Sequence, residues 1–328
     1  MIELRYLSRA DALRVGAGDW QHALDDVRAT TRLLRDGNAG MVAESVMPVG
    51  TDPRDNAYGL PAFVAGDYDA AGLKWAMHRA APARDLPSIT STTFINRYSD
   101  GRPIGLVESA LLTRMRTAAV SAIAMQSLVA QPVRSIAVLG AGAQARAHID
   151  MVQALFPAVE TVRVWNRTIG HRDAMLAGIE TRAGLRILSA DTINDALDGV
   201  QVILCCTTSP QPLLSPDHIQ PGRLIVQVGY NEISFEAIDA ANHIVVDLWG
   251  EFAEKSAKSL FQMYRAGRFA ADGVSADLAG LVVDGWKPSS AASVIFSSFG
   301  LNVFDIAMAA RVLKQAERDG IGTLLPFL

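Results

Sequence analysis

Apolar residues recur at helical spacing through residues 20–36, at Ala23, Val27, Leu33 and Leu34, until Gly37, Asn38 and Gly40 stop the run. From residue 41 to about 106 the texture changes. Apolar stretches at 62–65, 72–76 and 92–98 lie among turn signals such as Asp52-Pro53, Gly66-Asp67 and Ser99-Asp100-Gly101, which predicts a mostly antiparallel sheet. Residues 108–129 read as a long Ala-rich helix. After Gln131-Pro132 the pattern changes again: 135–139 is a short strand of buried type, and a helical segment begins after 140–145 and ends near 155. Further strands are predicted at 161–165, 200–203, 224–228 and 244–246. Strands alternating with helices imply parallel βαβ units. Residues 298–315 look helical once more. The expected fold class is therefore α/β, with an α+β domain at 1–131 and a doubly wound parallel sheet at 132–299, the last helix (about 300–328) rejoining the first domain.

A length of 328 residues fits about two domains, and 50% hydrophobic residues can fill two cores. The net charge of −4 leaves no basic excess for nucleic acid or an anionic membrane. Cys205 and Cys206 are adjacent, so neither a disulfide framework nor a zinc spacing is expected, and no metal site. Glu3, Arg5, Arg9 and Asp11 interrupt the opening segment, no apolar run is long enough to span a bilayer, and the expected location is cytoplasmic.

The segment Gly140-Ala-Gly142-Ala143-Gln144-Ala145 has the spacing of a Rossmann dinucleotide turn. Gly140 permits the tight turn, Gly142 removes a side chain that would block the pyrophosphate, and Ala145 keeps the helix near the sheet. The helix N-terminus then presents N–H groups and a positive dipole end to the phosphates. At the end of the next strand, where an NAD site usually carries Asp or Glu, the chain has Asn166, Arg167 and Thr168. With no carboxylate to repel a 2′-phosphate, NADP(H) is favoured over NAD(H), Arg167 pairing with the phosphate or stacking on adenine.

Together with Gly72-Leu73-Lys74-Trp75, Leu112-Thr113-Arg114-Met115-Arg116-Thr117-Ala118-Ala119, Thr207-Thr208-Ser209, Phe299-Gly300 and Asp305, this turn resembles the ornithine cyclodeaminase/mu-crystallin family over nearly the whole chain. The resemblance implies a Rossmann domain plus a substrate-binding domain that dimerises through its sheet, giving a homodimer. It also implies hydride transfer between a nicotinamide and the carbon bearing an amino acid's nitrogen. Carried over by motif, Lys74 and Arg116 would hold a substrate carboxylate, Lys74 also serving the reacting nitrogen. Thr207, Thr208 and Ser209, with Val228 and Gly229 after the fifth strand, would contact the cofactor.

The chain departs from the family pattern twice. Glu44 falls where many members carry an Arg that clamps substrate; an acid there would not favour a second carboxylate, and it either suits an amine or guanidinium or points away from the site. Asn231 falls where cyclodeaminases carry an acid; it can hydrogen-bond the substrate nitrogen but cannot exchange a proton. Glu232 is one residue along and would face elsewhere; Lys74, water or Asp247 remain as proton sources, Asp247 reading first as structural. The leading expectation is an NAD(P)H-dependent amino acid dehydrogenase or imine reductase. A lyase of the ornithine cyclodeaminase type and a non-catalytic NADP(H)-binding protein of the mu-crystallin kind are the alternatives.

Overall fold

The computed structural model describes residues 2–328. The first stretch runs β1 (Glu3–Leu7), α1 (Arg9–Arg14), α2 (Trp20–Arg35), β2 (Ala39–Met41), β3 (Ser45–Pro48), β4 (Asn56–Val64), β5 (Ala70–His78), β6 (Ile89–Arg97), β7 (Pro103–Glu108) and α3 (Ala110–Leu128). The middle holds β8 (Ser135–Leu139), α4 (Ala143–Leu155), β9 (Thr161–Trp165), α5 (Ile169–Ala177), β10 (Arg186–Ser189), α6 (Ile193–Leu197), β11 (Val202–Cys205), β12 (Leu224–Gln227), α7 (Phe235–Ala240), β13 (His243–Val246), α8 (Ser259–Arg265), β14 (Val274–Ala276), α9 (Leu278–Val282) and β15 (Val294–Ser297). The chain then finishes with α10 (Val303–Asp319) and β16 (Thr323–Pro326).

Two compact units result: Met1–Arg116 with Leu301–Leu328, and Thr117–Gly300. The division falls inside α3 rather than at residues 131–132, where the sequence pattern changes. Leu112, Met115, Ala118, Val120, Ile123 and Met125 are all buried, so α3 is apolar on every side. A helix that belongs to both units carries no change of composition at the boundary.

The first unit is built on one sheet of order β16-β1-β7-β6-β5-β4-β2, with β3 pairing β4. Strands β4 to β7 are antiparallel neighbours, and β1 runs parallel to β7. Register sets Leu60, Lys74, Thr93 and Val107 side by side on one face. Helix α10 lies on that face, and Gly72 and Gly105 permit its close approach. A β-carbon at Gly72 would meet Ile306 at 3.2 Å, and one at Gly105 would meet Leu313 at 2.6 Å. Residues Val303 to Ala310 of α10 are buried throughout, and the helix ends at Gly320 in the left-handed conformation (φ +64°). It starts five residues later than the sequence pattern suggests, because Ser298, Phe299 and Gly300 donate to the Asp247 carboxylate, Gly300 at a φ of +100°.

The second unit is an all-parallel sheet of order β10-β9-β8-β11-β12-β15-β13-β14. The run β10-β9-β8-β11-β12 is the doubly wound arrangement, with the chain reversing direction of travel between β8 and β11. Strand β15 enters late in sequence but sits between β12 and β13, fully buried. Its core includes Leu139, Ile203, Cys205, Ile225, Ile233, Val246 and Ile295. Both cysteines are free thiols. No helix among the described residues is long and apolar enough to cross a membrane.

Candidate functional site

In the first unit the side chain of Lys74, on the inner face of β5, reaches the start of α10. Its Nζ lies 3.0 Å from Asp305 Oδ1, and Thr113 Oγ1 donates to the same oxygen at 3.3 Å. Arg116 Nε stands 3.4 Å from Asp305 Oδ2 as an ion pair without hydrogen-bond geometry. All three charged groups are deeply buried, at 4% exposure for Lys74, 7% for Arg116 and 0% for Asp305. Burial works to raise the Asp305 carboxyl, but the Arg116 and Lys74 charges outweigh it and hold it below the usual carboxylate range. For Lys74, burial dominates and pulls the ammonium below its ordinary value; Asp305 opposes, and Arg116 adds to the lowering. Within the triad two cations face one carboxylate, an arrangement whose charge suits an anion with two oxygens.

Asp305 is the residue whose role the sequence did not reveal. Its signal was a lone acid inside the apolar run Val303–Ala310, where a buried charge requires partners.

In the second unit the expected cofactor residues converge on one edge of the sheet. The glycine turn follows β8, Asn166–Thr168 follow β9, Thr207–Ser209 follow β11, and Val228 and Gly229 follow β12. Because these strands are parallel, all four segments leave the same edge, where doubly wound sheets bind ligands. A dinucleotide fits the turn. Gly142 caps α4 without a side chain, and a β-carbon there would meet nothing within 4 Å. Gln144 Oε1 is buried and accepts no hydrogen bond from the chain. Gly140 is required for a different reason: its φ is +119°, and a β-carbon would lie 2.6 Å from the Cys206 carbonyl oxygen. Arg167 and Thr168 are exposed, while the Asn166 amide donates to the Thr168 carbonyl at 2.8 Å.

Two of the expected positions also make contacts within their own loop. The Gly229 N–H donates to the Cys205 carbonyl, and a side chain at Gly229 would collide with Glu232 and the Thr207 carbonyl. The Asn231 amide donates to the Pro210 carbonyl at 3.0 Å and accepts from Ser259 at 3.1 Å. Both ends of its amide are thus engaged within the loop.

Glu232 turns inward and is buried, accepting from Thr207 N at 2.9 Å and from Thr207 Oγ1 at 3.0 Å. Burial raises its pKa against the opposing charge of Lys258. Asp247 is buried as well and accepts from Leu248, Ser298, Phe299 and Gly300, which makes it a staple for the segment after β15.

The family model for the ornithine cyclodeaminase/mu-crystallin family matches residues 20–320. The chain is 24% identical to N-((2S)-2-amino-2-carboxyethyl)-L-glutamate dehydrogenase of Staphylococcus aureus, covering 98% of each chain. It is 28% identical to a Delta(1)-pyrroline-2-carboxylate reductase of Bacillus cereus over 73% of this chain and 75% of that one. Among solved structures, the Delta(1)-pyrroline-2-carboxylate reductase of Thermococcus litoralis, in complex with NADH and L-proline, superposes with a TM-score of 0.89 at 22% identity, covering 98% of this chain and 99% of the other. With a family model spanning nearly its whole length, the chain belongs to the ornithine cyclodeaminase/mu-crystallin family.

Proposed function

We propose that the chain is an NADP(H)-dependent oxidoreductase acting on the carbon–nitrogen bond of an amino acid or cyclic imino acid. The observation that carries this reading is the buried Lys74–Asp305–Arg116 triad, two cations to one carboxylate. Arg116 offers a planar fork to a substrate α-carboxylate, and Asp305 fixes that fork in place. Lys74, its ammonium made more acidic by burial, donates a proton to the reacting nitrogen more readily than an exposed lysine would. A bound nicotinamide supplies or accepts the hydride. The Asn231 amide, tied to Pro210 and Ser259, gives no support to a cyclodeaminase-type acid at that position.

The preference for the 2′-phosphate rests on exposed Arg167 and the absence of an acid among residues 166–168. Arg167→Ala weakens NADPH binding by roughly 1–3 kcal/mol, the scale of a charged hydrogen bond, and barely changes NADH binding, read by fluorescence titration.

The functional dimer forms through the outer face of the first sheet. Leu73 and Trp75 on β5 are 40% and 45% exposed there, beside Phe63, Phe94 and Leu106. An apolar row of this kind across several strands suits a second copy of the chain. Light scattering then gives about twice 35.1 kDa.

The deciding experiment is a spectrophotometric assay with a cyclic imino acid, or an α-keto acid plus amine. Consumption of NADPH in step with amino-acid formation is expected. Conversion of ornithine to proline and ammonia with catalytic NAD overturns the reading.

A further inference from the structure

The order of segments along the sheet edge where the expected cofactor residues gather decides which half of a dinucleotide each would meet. The pyrophosphate belongs to the turn after β8, and the adenosine half to the end of β9. The nicotinamide half then extends the other way, over the ends of β11 and β12, where Thr207 and Val228 stand. Both residues are half-buried, so each still presents surface.

One fully buried side chain fastens both loops there. Glu232 Oε1 accepts from Thr207 N at 2.9 Å and from Thr207 Oγ1 at 3.0 Å. With its proton turned to Glu232, the Thr207 hydroxyl is left as the acceptor for Ser209 N at 3.2 Å. The main-chain carbonyl of Glu232 accepts from Leu213 N and Leu214 N, at 2.7 and 2.9 Å, where the same loop ends. The loop after β11 is therefore held at its entrance by the carboxylate of Glu232 and at its exit by the carbonyl. On the side of β12, Lys258 Nζ donates to the Val228 carbonyl at 2.6 Å, and its charge acts on the Glu232 carboxylate.

A buried carboxylate is costly unless its charge is balanced and its oxygens are hydrogen-bonded. Lys258 and the two donors of Thr207 meet both needs. Because both donors come from one residue, the carboxylate fixes the rotamer of Thr207 as well as its backbone. A neutral amide in the same place keeps its oxygen toward Thr207 only by turning its NH2 onto the Gln227 amide and the Lys258 charge.

We propose that Glu232 is a positioning residue of the cofactor site, acting through Thr207 to set the loop that receives the nicotinamide half of NADP(H). This depends on the reading that segments 207–209 and 228–229 contact the cofactor.

The test compares calorimetric affinities for NADPH and for adenosine 2′,5′-bisphosphate, which carries the adenosine half and its phosphates but no nicotinamide. The wild-type chain binds NADPH the more tightly. Glu232→Gln weakens NADPH about tenfold, the scale of a charged hydrogen bond, and leaves the bisphosphate within about twofold. Thr207→Val is selective in the same way, and Glu232→Gln added to it has less effect than Glu232→Gln alone. If the single variant does not fold, Glu232→Gln with Lys258→Met, which leaves neither partner of the pair charged, replaces it under the same expectation. Equal losses for the two ligands, no loss for NADPH, or full additivity with Thr207→Val overturn the proposal. Gly142→Val abolishes binding of both ligands. If it weakens neither, the dinucleotide reading itself has failed, whatever the Glu232 variants show.

Discussion

In the first unit, charged side chains from β5, α3 and α10 meet inside the protein, at positions 74, 116 and 305. In the second, the sheet edge where the expected cofactor residues gather is made of backbone, glycine and short polar side chains at the ends of parallel strands. The first arrangement confines net charge in a buried place and holds it with one carboxylate. The second leaves space where a side chain would stand. A charge-based site is sensitive to the loss of any member, because a buried ion without its partner is strongly unfavourable. A space-based site is sensitive to added atoms.

The largest effect follows from removing the shared carboxylate. Asp305→Ala leaves two buried cations facing each other and should destabilise the protein by about 3–5 kcal/mol in urea unfolding. A loss under about 1 kcal/mol would show that the triad is not held as described. The glycine turn sharpens the contrast. Gly140→Ala puts a β-carbon 2.6 Å from the Cys206 carbonyl at a positive φ, and should cost roughly 1–3 kcal/mol of stability. Gly142→Val points into open space, so stability should fall by only about 1 kcal/mol, the cost of a poor N-cap residue, while dinucleotide binding is lost. Binding at wild-type affinity by Gly142→Val would remove the turn from the cofactor site.

The smallest effect is a pH dependence in the second unit. His148 is fully buried; its Nδ1 donates to the Gln144 carbonyl at 2.7 Å, so its Nε2 accepts from Ser121 at 2.8 Å and the ring is neutral. Burial pulls its pKa from 6.5 down to about 4. The unfolded chain therefore takes up the proton first as pH falls. Stability from this group is complete above pH 6.5 and is lost progressively down to about pH 4. At pH 5.5 the loss should be about 1 kcal/mol relative to pH 8, and His148→Gln should remove that part of the slope.

The difference between the regions also decides what could be read from sequence. A dinucleotide turn is a local spacing, so Gly140, Gly142 and Ala145 announce it within six residues. Strands β8 and β9 are equally plain, being short apolar runs bounded by turns. Strand β15 was not found, because four residues after a Ser- and Ala-rich stretch carry no period, and its neighbours are fixed by the sheet alone. The triad lies further out of reach. Lys74 and Arg116 stand in family motifs that imply their roles, while Asp305, 189 residues from Arg116, stands in a motif that implies none. Only packing of α10 on β5 brings the three together. The Asn231 amide shows the opposite limit: its position in a motif said nothing about its bonds to Pro210 and Ser259.

Helix α10 also orders the protein's assembly in time. It covers the inner face of a sheet whose strands β2 to β7 are all made before residue 109, yet it arrives after residue 302. During synthesis the second unit emerges whole while that face is still bare, with Lys74 and Arg116 lacking their counter-ion. Pairings this distant along the chain close slowly and leave apolar surface exposed meanwhile. A ribosome that stops near residue 300 therefore releases a chain whose second unit can be complete and whose first unit cannot, a product suited to chaperone capture.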